Sequence, residues 1–163
     1  MSLTLFLRLD DIPGDSHVRG FEGWIQVHSV AWGLTAHGSG PGAGGGGGAA
    51  AGRATAKSAV FTAPTGAASP LLMAACAAGR HLRAGRLEVR KDGQTPVTVA
   101  RFDFEELVVS AYSLAGSDDD AALLDSFELV ARRIRETTVS SSLHGGTGGS
   151  SDRGWDFTAQ HPW

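Results

Sequence analysis

Ser29, flanked by His28 and preceded by Asp15 and His17, supplies the residue types of a nucleophile, its base and an orienting carboxylate, the set that acyl transfer uses. No serine in the chain sits in a G-x-S-x-G elbow, and all four residues fall at a strand bend or a turn, which accounts for them without catalysis. Glu105 and Glu106 are adjacent, so on a strand they face opposite ways and do not form an acid–base pair. Gly40 to Gly45, GPGAGG, satisfies G-x-G-x-x-G, but only because the tract is nearly all glycine; no helix pattern and no acidic ribose partner follow. Lys57-Ser58 lacks the glycine that precedes them in a phosphate-binding loop. His17, His28, His37, His81, His144 and His161 are scattered without metal-ligand spacing. Cys76 is the single cysteine, set among apolar neighbours in LLMAACAAG, where a thiol acts as a small hydrophobe and not as a nucleophile. No catalytic, cofactor-binding or metal-ligating residues are assigned, and the chain is not expected to be an enzyme.

The elements that carry these residues form one domain's worth of chain, 163 residues with a net charge of −3. That charge argues against a nucleic-acid partner, and no run of about 18 apolar residues is present to insert into a membrane. The N-terminus, MSLTLFLRLDD, has no basic region before an apolar core, so it is not a Sec signal; export would need a dedicated machine. Much of the 42% hydrophobic content is alanine, and many of the 23 glycines lie in two tracts. The expectation is a single domain over 1–163 with a flexible Gly-rich loop at 37–52 and a flexible segment at 140–152.

Leucines alternate from Leu3 to Leu9, a half-buried strand in which only Phe6 breaks the polar face. Asp11 to Asp15 is a turn. Gly20 to Thr35 reads as one long strand in which Ile25 and Val27 share one parity while Val30 and Trp32 take the other, which requires a bulge or bend near His28–Ser29. Ser69 and Pro70 form a helix start and Gly79 a stop; the helix between them is apolar nearly all round, and so is expected to be largely buried or to lie under a neighbour. Leu87 and Val89 run to an Asp92-Gly93 turn and Val97 and Val99 run back, and the return strand continues through Phe102, Phe104, Leu107 and Val109, swapping parity twice. Bent strands of this kind indicate a barrel. From Ser117 to Glu136, Leu123, Leu124, Phe127, Val130, Ala131 and Ile134 recur at helical spacing, whereas Phe127, Leu129 and Ala131 also alternate as a strand does.

Leu5, Leu7, Leu9, Asp11, Ile12 and Gly14, then Gly23, Trp24 and Ile25, then Ser29, Trp32 and Gly33, and finally Gly154, Trp155 and Asp156, occur in an order and spacing that resemble the Hcp family. These are the haemolysin-coregulated tube proteins of bacterial type VI secretion. The resemblance implies a mainly β fold, an Hcp-like β-barrel of bent antiparallel strands with one short α-helix. It also implies a strand from about Ser126 to Thr138, the assignment adopted here because a helix would leave the sheet short of a member. A closing strand through Trp155 and Phe157 follows from it too.

The resemblance implies a homo-hexamer, stacked rings, a contractile sheath and spike as partners, and small effector proteins carried in the lumen. It further implies assembly in the cytoplasm followed by secretion without a Sec signal peptide. Expected subunit-interface residues are Trp24 and Trp32, Arg83 and Arg86 of the basic stretch Arg80 to Lys91, and the acidic run Asp118, Asp119 and Asp120. The basic stretch has a second reading, a solvated strand edge protected from aggregation. Trp24, Trp32, Trp155 and Trp163 leave open a carbohydrate-binding β module with an exposed aromatic platform, and a ring-forming paralogue without a secretion machine is a further alternative.

Overall fold

A computed structural model of the chain describes residues 2–37, 52–141 and 147–163. Eleven strands and one helix occur among them: β1 (Leu3–Leu9), β2 (Ile25–Val27), β3 (Ser29–Ala31), β4 (Leu34–His37), β5 (Arg53–Ala56), β6 (Ala59–Pro64), α1 (Ala68–Ala78), β7 (His81–Lys91), β8 (Val97–Ala115), β9 (Leu124–Ser141), β10 (Thr147–Asp156) and β11 (His161–Pro162). The main sheet runs β11-β10-β9-β8-β7-β1-β2, and β6 lies between β9 and β3. All these pairings are antiparallel.

The parity switch at His28–Ser29 is where one segment changes partner. β2 pairs with β1 (Leu7 opposite Ile25), and one residue later β3 pairs with β6 (Val30 opposite Phe61). The His28 N–H donates to the Thr62 carbonyl at 2.7 Å across the kink. The expected single long strand is therefore three short ones. The fold is mainly β and antiparallel, as expected, but the ladders do not close on themselves. They pass from β2 round to β3, and the covalent chain through His28 spans the gap.

One apolar cluster fills the concave side: Leu7, Leu9, Ile25, Phe61, Leu87, Phe104, Leu107, Phe127 and Leu129 are all buried, and Phe61 and Phe127 stack at 5.4 Å between ring centroids. Phe6 points to the opposite face of β1, yet it is wholly buried, because Phe21 from the β1–β2 connection stacks on it at 4.2 Å and Arg90 lies 5.3 Å from its ring. The hairpin of β7 and β8 forms as expected. Asp92 pins its turn to β1 by accepting the Thr4 and Ser2 hydroxyls, the latter at 3.1 Å, and these bonds, that of Thr4 above all, hold its carboxyl below the usual range.

The helix start differs from the expectation. The N-cap position is Ala67, and Ser69 lies inside the first turn, where its hydroxyl donates to the buried Asp125 and accepts the Gly66 N–H at 2.9 Å. Asp15 satisfies the Ala67 N–H at 2.7 Å. Gly79 stops the helix in the left-handed conformation, φ 58°. Leu72 and Ala75 are buried, but Leu71 and Met73 stand exposed, so only one side of this apolar helix is covered by its own chain.

Residues 124–141 form a strand, as the expected span 126–138 requires. Ser140–Ser141 close β9 and residues 147–152 open β10, where a flexible stretch was expected. A backbone ladder needs no apolar side chains, and at Gly148 an added Cβ would meet the Ser140 carbonyl oxygen at 2.4 Å, so glycine is what lets these strands approach. Residues 38–51 of the Gly-rich loop and 142–146 lie outside the described residues.

Candidate assembly surfaces

The four residue types of a possible acyl-transfer site do not converge. The Ser29 hydroxyl is engaged with Thr62 at 2.6 Å and the Asp15 carboxylate with the Ala67 N–H, and neither bonds a histidine among the described residues. A cavity of about 320 Å³ between Gly14–Ser16 and the start of α1 contains Asp125, which accepts Thr65 Oγ1 at 2.9 Å, Tyr112 Oη at 3.0 Å and the Ser69 hydroxyl. Burial, and then the carboxylate beside it, push the Tyr112 hydroxyl above the ordinary tyrosine range. Carboxylate and hydroxyls satisfy one another here, and among the described residues no imidazole lines the cavity. Cys76 is half-buried against the core. Among the described residues no group of three potential metal ligands occurs, and no helix is long and apolar enough to cross a membrane.

The expected interface residues divide into engaged and free. Trp24 is half-buried, with Phe21 edge-on at 5.1 Å and the Arg8 guanidinium 5.2 Å from its ring. Trp32 packs edge-on to Phe102 at 6.3 Å. Trp155 and Trp163 are also half-buried, and Arg135 covers Trp163 at 4.9 Å, so the described tryptophans form no exposed flat platform.

The basic stretch Arg80 to Lys91 is not a sheet edge. It is β7, flanked by β1 and β8, with Arg80 paired to Asp11 at 2.7 Å, Arg86 to Asp103 at 2.6 Å and Arg90 to Asp92 at 3.4 Å. Arg83 is exposed. Asp118, Asp119 and Asp120 are exposed at the β8–β9 connection, where Asp120 accepts the Ser117 N–H at 2.8 Å and so holds its own turn.

Exposed apolar side chains gather toward the two ends of β8. Leu3 (57% exposed) and Val97 both stand opposite Lys91 at one end; Leu114, Leu123 and Leu124 surround the acidic tip at the other. The stretch of β8 from Asp103, the partner of Arg86, to Ala115 spans roughly 40 Å at the usual rise, so Arg86 and the acidic tip lie far apart within one chain.

A charge network absent from the expectations ties the C-terminal strands to the body. Glu106 has φ 50°, an unusual conformation for a non-glycine residue within a strand, and it marks the parity swap between buried Phe104 and buried Leu107. β9 swaps parity at the adjoining position, between Ala131 and Ile134. The two swaps bring both glutamates to neighbouring arginines, Glu105 to Arg133 at 3.2 Å and Glu106 to Arg132 at 3.0 Å, and both arginines converge on Asp156 at 2.8 and 3.3 Å. The glutamates expected to face apart thus belong to one network. Asp156 has no solvent exposure and also accepts the Ala159 and Thr158 N–H groups at 2.8 and 2.9 Å. The Ala159 N–H foremost, then Arg133, outweigh burial and hold its carboxyl far below the usual carboxylate range.

A family model described as "Type VI secretion system effector, Hcp" matches residues 6–141. Among solved structures, Hcp1 from Salmonella typhimurium is 25% identical over the whole of both chains, with a TM-score of 0.78. A structure described as a type six secretion system protein is 21% identical over 99% of this chain and all of its own, at 0.89. A type VI secretion system effector from Yersinia pestis is 19% identical over 93% of this chain and 98% of its own, at 0.74. No curated protein sequence matches the chain.

Proposed function

The chain belongs to the Hcp family of type VI secretion proteins, and from that premise we propose that it is a structural tube subunit whose copies close into hexameric rings that stack and are ejected. The observation that carries the reading is the family match across residues 6–141 on a fold shared with Salmonella typhimurium Hcp1 along its full length.

The surfaces support it physically. An acidic tip with exposed leucines at one end of β8 and exposed apolar residues beside β7 at the other are unlike surfaces, which suits a heterologous contact; such contacts close into rings when the rotation permits. Leu71 and Met73 on α1 add apolar area that a neighbour would cover. Trp24, Trp32, Arg83, Arg86, Asp118, Asp119 and Asp120 remain interface candidates, Arg83 and Asp118 and Asp119 foremost because no ion pair within the described chain engages them. Assembly takes place in the cytoplasm with sheath and spike proteins, effectors travel in the lumen, and secretion follows. Native mass spectrometry with negative-stain imaging tests this: a dominant hexamer with ring-shaped particles is expected, and a monomer at all concentrations would overturn it.

A further inference from the structure

Gln160 sits at the end of the turn that Asp156 organises, with φ 59°, and its backbone N–H donates to the Asp156 carbonyl at 2.8 Å. Its carboxamide reaches the outer edge of β5. The Ala54 N–H donates to Oε1 at 2.8 Å, and Nε2 donates to the Ala54 carbonyl at 2.9 Å and to the Phe157 carbonyl at 2.6 Å. With Ala54 it exchanges the same two bonds that a facing residue exchanges in a hydrogen-bonded antiparallel pair, so one side chain acts as a strand one residue long.

β5 has need of it. β4 and β5 form a two-stranded sheet separate from the main one, and an isolated hairpin is marginal in water. Among the described residues, the bonds to Gln160 are the only hydrogen bonds that leave β4 or β5 for the rest of the chain. Packing adds Ala56, which lies against the core. Open grooves flank the hairpin, one of about 410 Å³ beside Leu34, Trp155 and Phe157 and one of about 370 Å³ beside Ala54, Ala56 and Val130.

We propose that Gln160 is a positioning residue that latches the β4–β5 hairpin to the body, and that Asp156 acts through it by fixing the turn that presents the carboxamide. The latch is local: its loss frees the hairpin and leaves the strands around the core as they were.

Hydrogen exchange read by mass spectrometry on the full chain tests this, comparing wild type with Gln160→Ala and with Asp156→Ala, which removes the acceptor of the Thr158 and Ala159 N–H groups. Peptides covering 34–37 and 53–57 are expected to exchange at least tenfold faster in both variants, while in Gln160→Ala those of β7 and β8 stay within about twofold of wild type. Hairpin exchange unchanged in Gln160→Ala, or accelerated only as much as β7 and β8, would overturn the latch. Should Gln160→Ala not fold, Gln160→Met, of similar length and without the amide, is read by the same criteria. The exchange result stands whether or not the chain forms rings, so a failure of the tube reading and a failure of the latch are separate outcomes.

Discussion

Arg133 Nε donates to Asp156 at 2.8 Å, joining the middle of β9 to the end of β10 through a carboxylate that water does not reach. Because the Asp156 carboxyl is depressed in the folded state and near 3.9 when unfolded, its contribution is fully present above about pH 4 and is lost as pH falls through the folded value. Asp156→Asn is therefore expected to lower the urea midpoint at pH 7, with the gap to wild type narrowing below about pH 4. A gap that stays constant down to pH 2 would refute the linkage.

If copies of the chain stack as proposed, Asp118→Lys with Asp119→Lys is expected to weaken the stacking while leaving rings whole, since both carboxylates lie on an exposed tip. Asp120 is spared because it holds the Ser117 N–H. Sedimentation velocity at low and moderate salt checks it: stacking equal to wild type at both would reject a charge-steered contact.

Phe127→Ala removes one ring of the stacked pair in the centre of the core and is expected to cost about 3–5 kcal/mol. Urea denaturation with an unchanged slope measures it, and a loss below about 1 kcal/mol would mean that the Phe61–Phe127 pair is not central to the core.

Asp125→Ala strands the hydroxyls of Thr65, Ser69 and Tyr112 and is expected to destabilise by at least about 2 kcal/mol, with Asp125→Asn recovering part of the loss because its carbonyl still accepts. Equal stability of the two variants would show that hydrogen bonding at this carboxylate does not anchor α1.

Parity was the part of the fold most legible in the sequence. The swaps at His28–Ser29 and between Phe104 and Leu107 mark a partner change and a positive φ. The helical spacing from Leu123 to Ile134 has a physical origin in the same bending. Phe127, Leu129 and Ala131 point inward, then β9 swaps parity and Ile134 follows three residues later, so a bent strand imitates a helix; Leu123, Leu124 and Val130, which completed the illusion, are exposed. The charge network was not legible, because it joins Glu105, Arg133 and Asp156 across three strands, and adjacency along the chain says nothing about that. The internal pairing of Arg86 with Asp103 was hidden for the same reason: it depends on the register of a hairpin, and a view of the stretch as a row of free cations misses it.

β9 gives β8 one whole edge and divides the other between β6 and β10. During synthesis β6 and β8 are complete long before Ser141 leaves the ribosome, so each new chain carries unpaired strand edges until one late segment arrives to seal both. A cell that makes this protein in bulk must outrun edge-to-edge aggregation in that interval. Slowing translation just ahead of Leu124 is the manipulation that would lengthen it.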